Sequence, residues 1–449
     1  MFRLFFHLLC VINRIRQSII IRRYAKIIVE KPKLSVQPNI FVYKGKNKST
    51  SNNIVNTVVL DDGSIIACRV GGVVKILSSG EELALLAIEG TSDWRLCWCD
   101  SKGNIYVSPH SSVSGKMNVE DRGLYRMEKG TNFFVRVCSL YNPNSTVVTE
   151  TQFNDDTFWT MTEDADGFLY AGVYAHTIRP NPKIYKSVDS GKTWSVLVDF
   201  NKEGYTSSGM HIHCVSYNKW NNGLYVIVGE HNTIFKSDNG GKSWRDLKIH
   251  LEDKGSVIFP LASGFLVGSD SAYNCFIEKI DNNDKNHKRV YTGWANTVFA
   301  IRQSDVTGFL YAFCKIDSSS VSSLYYPQTD ENGCYFYDNK RFTNRKRWKY
   351  YYKSVINSYP EDAIIPKHSA ILISKDEGNS WIPLLINKET GNTPAGYWTA
   401  SDFCNGECLA GYVNSERRFD SPHIISDRLA RAHNSSIIKD SVYSRFAVL

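Results

Sequence analysis

The sequence predicts an all-β fold built from repeated four-stranded antiparallel units that close into a ring. Three observations carry this. Runs of aromatic and β-branched residues, in a chain with 25 Tyr, 22 Phe and 10 Trp, are broken by Asn, Asp, Gly and Ser, the residues of tight turns. The pattern S-x-[DN]-x-G-x-[ST]-W occurs three times. Each occurrence ends a longer segment in which strand-like runs alternate with turns at hairpin spacing. At 449 residues, 42% of them hydrophobic, the chain has ample material for a core and lacks the composition of a disordered one.

The three copies place Ser187, Asp189, Gly191 and Trp194 in register with Ser237, Asn239, Gly241 and Trp244, and with Ser374, Asp376, Gly378 and Trp381. At a hairpin tip an Asp or Asn side chain accepts N–H groups of its own turn, Gly supplies a positive φ, and Trp begins the returning strand. The pattern resembles the Asp-box, or bacterial neuraminidase repeat, of sialidase-like β-propellers. That resemblance implies a box on the outer hairpin between the third and fourth strands of a blade, away from the active site. The box residues are therefore expected to be structural.

Taken in chain order, residues 54–89, 94–138 and 157–200 each read as one unit, the third ending in the first box. The fourth begins at His211 and contains the second box. Residues 256–291 are a degenerate copy, and residues 297–386 hold the third box with an insertion at about 317–367. The Trp spacing agrees, because Trp194 and Trp244 lie 50 residues apart whereas Trp244 and Trp381 lie 137 apart, room for two units and an insertion. YWTASDFC, ECLAGYVN and a strand near Pro422 to Asp427 make three strands of a last unit, and Asn39 to Lys44 supplies its fourth. The expectation is a seven-bladed β-propeller over residues 39–430, with six blades as the alternative; closure would leave few exposed strand edges. Residues 1–38 form a basic, hydrophobic segment and linker, and residues 431–449 a C-terminal tail outside the ring.

The net charge of +8 is local. Residues 1–48 hold 11 Lys and Arg against the single Glu30, which leaves the rest of the chain near neutrality. Residues 1–26 are open to three readings: an imperfect signal peptide, a transit-like segment, or a membrane-surface helix with peripheral membrane contact. A second basic run, Asn339 to Lys353, falls in the insertion and interleaves seven Lys and Arg with aromatic residues. A solvated insertion is favoured there over nucleic-acid binding. Eleven Cys without framework spacing read as buried hydrophobes; Cys97-x-Cys99 and Cys404-x3-Cys408 have no second pair of ligands at zinc spacing.

Propeller ligands gather where first strands and their connecting loops meet the channel, and the candidate site residues lie there. His211 and His213 open the first strand of the fourth blade, and a spacing of two puts both imidazoles on one face. They can act as a catalytic base or hold a divalent metal, the one cofactor entertained; the competing reading is that they replace packed aromatics such as Trp94, Phe158, Phe299 and Trp398 of other blades. Tyr174 ends the second strand of the third blade and joins them as a catalytic candidate. Glu230 and Asp270 end second strands of the fourth and fifth blades and, with Arg69 and Arg95, are candidates for substrate binding.

The resemblance to sialidases implies an arginine triad that begins with Arg-Ile-Pro, a motif this sequence lacks, so sialidase activity itself is not expected. Polysaccharide lyases on propellers, which use His and Tyr, suit His211, His213 and Tyr174. The expected function is carbohydrate-active or glycan-binding, as a glycoside hydrolase or polysaccharide lyase on an anionic glycan. The alternative is a non-enzymatic propeller that binds a protein or glycan partner in an assembly or scaffold role.

Overall fold

A computed structural model describes residues 39–42, 54–69, 71–77, 81–91, 93–110, 117–140, 156–175, 180–206, 209–229, 233–249, 251, 254–270, 275–284, 286–293, 297–315, 328–329, 335–337, 340–342, 368–388, 396–402, 407–414 and 419–426. The basic N-terminal segment, the C-terminal tail, Glu230 and most of the run from Asn339 to Lys353 lie outside the described residues. Among the described residues no helix is long and apolar enough to cross a membrane.

The fold is all-β and its strands pair antiparallel. The first blade comprises Ile54–Val59, Ile65–Arg69, Gly72–Ile76 and Glu82–Ala87; the second Asp93–Cys99, Ile105–His110, Gly123–Met127 and Val135–Ser139. The third comprises Thr157–Glu163, Leu169–Tyr174, Lys183–Ser187 and Ser195–Asp199; the fourth Ile212–Asn218, Gly223–Val228, Thr233–Ser237 and Arg245–Asp246. Lys254–Leu261, Gly264–Asp270, Cys275–Asp281 and His287–Gly293 make the fifth, and Thr297–Gln303, Leu310–Lys315, His368–Ser374 and Ile382–Lys388 the sixth. One bridge, Asp270 to Thr297, joins these two into an eight-stranded sheet. Gly396–Ala400, Glu407–Asn414 and Phe419–Ser426 form the last blade, completed by the N-terminal strand Asn39–Val42, which pairs with Phe419–Ser426 in the register Asn39 to Ser426. Between the second and third strands of the sixth blade lies a small sheet of Gln328–Thr329, Tyr335–Tyr337 and Lys340–Phe342.

The first strands touch one another in sequence around a circle, each meeting that of the next blade, and the seventh meets the first. The expected closure by the N-terminal strand is thus the observed one. The core is divided accordingly. Ile66 and Cys68 of the first blade pack with Trp94 and Val107 of the second; Leu96 and Tyr106 pack with Phe158 and Ala171 of the third. The gap between fifth and sixth blades is filled by Leu266 and Ile277 with Val298 and Leu372. Second strands are sandwiched on both faces, which is why Ile105–His110 and Gly223–Val228 are buried throughout and why the latter reads as an unbroken apolar run. The described cysteines are all free thiols, and Cys68, Cys214, Cys275, Cys314 and Cys408 are buried in this packing. Burial and then Asp100 push the Cys99 thiol up to about 12.

The three repeated turns share one hydrogen-bond scheme. Ser187 Oγ donates to Asp189 Oδ1 at 2.8 Å and accepts from Gly191 N at 2.8 Å, while Asp189 accepts the Thr193 N–H at 2.9 Å and its hydroxyl at 2.6 Å. Ser374, Asp376, Gly378 and Ser380 repeat it, and Ser237, Asn239, Gly241 and Ser243 do so with one bond reversed, the Asn239 Nδ2 donating to the Ser243 hydroxyl at 2.8 Å. Each turn joins third to fourth strand and also leans on the preceding blade. Gly191 holds φ of 77°, and a Cβ there would sit 2.2 Å from the Tyr106 hydroxyl of the second blade. That hydroxyl donates to Ser190 O at 3.0 Å. The fifth blade has no such pattern, and Asp284 of its outer turn supplies a carboxylate instead, taking Lys236 at 3.0 Å and Arg245 at 2.7 Å from the fourth blade.

Candidate functional site in the channel mouth

Each of the first six blades carries a one-residue bulge in its first strand, opposite the end of its second strand. A bulge places one extra residue against the partner strand and re-aims its side chain. In the second, third, fourth, fifth and sixth blades that residue is Arg95, Trp159, His213, Ser256 and Phe299. Trp159 and Phe299 meet edge to face with centroids 6.0 Å apart. Because they belong to the third and sixth blades of the ring, they can meet only across its axis, so the bulged residues line the channel.

Around this contact the side chains form one chain of stacked rings. Tyr174 stacks on Trp159 at 4.6 Å between centroids and on His211 at 3.9 Å, and His211 lies 4.7 Å from His213. The Arg95 guanidinium sits over the Trp159 ring at 5.1 Å, within hydrogen-bonding distance of His110 at 3.4 Å. The Lys315 ammonium lies 6.0 Å over Phe299. Both are cation–π distances. Arg95, Trp159, Tyr174, Phe299 and Lys315 are each partly exposed.

The two imidazoles are more enclosed, with exposures of 4% for His211 and 6% for His213. Each reaches to a different neighbouring blade. His211 Nδ1 lies 2.6 Å from Ala175 O and His213 Nδ1 2.7 Å from Gly255 O. A carbonyl only accepts, so this geometry places the donating N–H on Nδ1 of each ring and turns the Nε2 edge the other way. Both Nε2 edges face Gly229: a Cβ there would lie 2.4 Å from Nε2 of His211 and 2.9 Å from Nε2 of His213. The corresponding positions of the third, fifth and sixth blades carry Tyr174, Asp270 and Lys315. Glycine is needed in the fourth because the imidazoles occupy that space.

The expected face-sharing of His211 and His213 is observed, and Tyr174 and Arg95 join the same constellation. The expected alignment holds for Phe299, which matches His213, and is corrected by one residue for Trp94 and Phe158, which match Ile212 and point into the core with exposures of 1% and 0%. Arg69 ends the second strand of the first blade and pairs with Glu82 of its own blade at 2.8 Å. Asp270 stands at the mouth and accepts from the Thr297 hydroxyl at 2.9 Å. Glu230 lies outside the described residues. Among the described residues no three His, Cys, Asp or Glu side chains gather where a metal ion would sit. Trp159, His110, Lys315 and Gly229 are the additions that sequence reasoning missed.

No family model and no curated protein sequence matches the chain. Among solved structures it is similar to a streptogramin B lyase, with a TM-score of 0.52 and 11% identity over 87% of this chain and 98% of that one. It is also similar to virginiamycin B lyase from Staphylococcus aureus, with a TM-score of 0.50 and 12% identity over 86% of this chain and 99% of that one. At this identity the likeness is one of fold, and together with the closed circle of first strands it makes the chain a β-propeller.

Proposed function

We propose that the chain is a carbohydrate-active β-propeller that takes an anionic glycan into the mouth of its central channel. One observation carries the reading: Arg95, Trp159, Tyr174, Phe299 and Lys315 converge from three blades into a partly exposed aromatic layer with two cations over it. Sugar rings present apolar C–H faces that pack on aromatic rings, and a guanidinium pairs with a carboxylate or sulfate. The repeated turns, which resemble the Asp-box of sialidase-like propellers, support the same ligand class.

On this reading a glycoside hydrolase or polysaccharide lyase would draw its proton transfer from His211, His213 and Tyr174, which are in ring contact. A second reading, a non-enzymatic propeller that binds a protein or glycan partner, is favoured by the enclosure of both imidazoles and by their bonds to Ala175 and Gly255, which suit posts that hold three blades together. The test is to titrate the protein with polyuronate and sulfated glycan fragments and to assay the same mixtures for new reducing ends or unsaturated uronate. Saturable binding with turnover supports the enzyme. Saturable binding without turnover selects the second reading, and no binding to any anionic glycan removes the first.

A further inference from the structure

A second concave surface lies far from the channel, on the rim between the second and third blades. It is a cavity of about 270 Å³ whose apolar wall is Phe133, Val135 and Val137 of the second blade's outer edge, and whose polar wall includes Arg126, Glu128 and Lys192 of the third blade's repeated turn. Phe133 is 60% and Val135 53% exposed, and the hairpin that carries Lys192 exposes Val188 and Val196. These four make up most of the large hydrophobic side chains exposed among the described residues, all on two adjacent outer edges. Apolar exposure gathered beside a cavity marks an interaction surface, whereas scattered single residues do not.

We propose that this groove docks an extended peptide segment of a partner protein, one that alternates apolar side chains with a carboxylate. The charge on the walls selects the acid. The Arg126 side chain is 8% exposed, and its Nε is fixed by Ser190 O at 3.0 Å, so its guanidinium is held at the cavity wall. Lys192 adds a second cation, against the single Glu128 carboxylate, 3.7 Å from Arg126 and itself 57% exposed. The volume lies just below the range of about 300–1,000 Å³ usual for small-molecule sites, which suits a few side chains of a segment laid along the rim. The outer strand Val135–Ser139 is irregular at Val137, where its register with the neighbouring strand shifts, so recognition runs through side chains rather than strand addition.

The probes are fluorescein-labelled heptapeptides that alternate leucine or phenylalanine with aspartate, a matched set with lysine in place of aspartate, and phosphatidylserine vesicles. Fluorescence anisotropy should show saturable binding of the aspartate set, with the lysine set weaker by about tenfold or more. Phe133→Ser and Lys192→Glu, both at the surface, should each weaken that binding roughly fivefold or more without moving the melting temperature. The proposal is overturned if neither set binds, if the two sets bind equally, or if binding survives both substitutions. It is also overturned, in favour of a lipid surface, if only the vesicles bind.

Discussion

Trp159 and Phe299 meet edge to face in the centre of the ring, at 6.0 Å between centroids, although one belongs to the third blade and the other to the sixth. Both are bulged residues of first strands. The bulge turns a side chain out of the strict alternation of its strand and into the channel. At this level the propeller therefore has an aromatic floor, on which Tyr174 and the two histidines are stacked.

Gly229→Ala should disturb this floor more than any exposed substitution nearby. The added methyl would overlap both imidazoles, and neither can retreat without releasing its backbone carbonyl. Urea denaturation should show a loss of about 1–3 kcal/mol. Near-ultraviolet circular dichroism should change with it, because the Tyr174 stack rests on His211.

His213→Ala removes a ring that joins the fourth blade to Gly255 of the fifth. Deleting an enclosed, hydrogen-bonded side chain leaves Gly255 O without that donor, and a loss of about 1–3 kcal/mol is expected in equilibrium unfolding. An unchanged midpoint would show that the ring contributes ligand chemistry alone.

Asp189 gives the fold an acid sensitivity. Burial works against its charge, but the hydrogen bonds from Thr193, Ser187 and the Lys192 N–H outweigh it and hold the carboxyl at about 2. Asp376 is lowered by its hydrogen bonds to Ser380 and Ser374 against a similar burial effect. A carboxyl depressed in the folded state stabilises fully above its unfolded value of about 3.9, and that contribution is lost as pH falls toward the folded value. The part of the unfolding free energy that these carboxyls contribute should thus be constant from pH 7 to about 5 and decline toward pH 2. Asp189→Asn, which copies Asn239 of the second repeated turn, should fold and show a shallower decline over the same window.

Asp284 replaces the repeated turn in the fifth blade, and its removal should be among the costlier single changes. Lys236, 7% exposed, would lose the carboxylate that lies 3.0 Å away and be left with the more exposed Asp238 carboxylate at 3.3 Å and the Tyr225 ring. Asp284→Ala should cost about 3–5 kcal/mol, read from the urea midpoint. The companion variant in which Lys236 is also replaced, by Met, should recover part of the loss.

Much of the architecture was legible because it is written locally. A box of eight residues makes its own hydrogen bonds, and the Trp spacing counts units without knowledge of contacts. The apolar runs of second strands follow from packing on both faces. The closing strand at Asn39 was legible from the count alone, since three strands at the C-terminus need a fourth. The floor of the channel was less so. Whether Trp94 or Arg95, Phe158 or Trp159, faces the channel depends on one residue of register, and the bulge that decides it exists only between paired strands. The pairing of Tyr174 with His211 joins two blades and leaves no local mark. Gly229 had a sequence signal, a glycine where other blades carry Tyr, Asp or Lys, but only the imidazoles explain it.

The measurement that bears most directly on a glycan site in the channel mouth is the affinity of galacturonate oligosaccharides for the wild-type chain and for Trp159→Ala, by titration calorimetry beside a thermal melt. The expected result is saturable binding to the wild type and a loss of about tenfold or more on removal of the Trp159 ring, with the variant still folded. Equal affinity in the two proteins, or no binding to the folded wild type by any polyuronate, would contradict it.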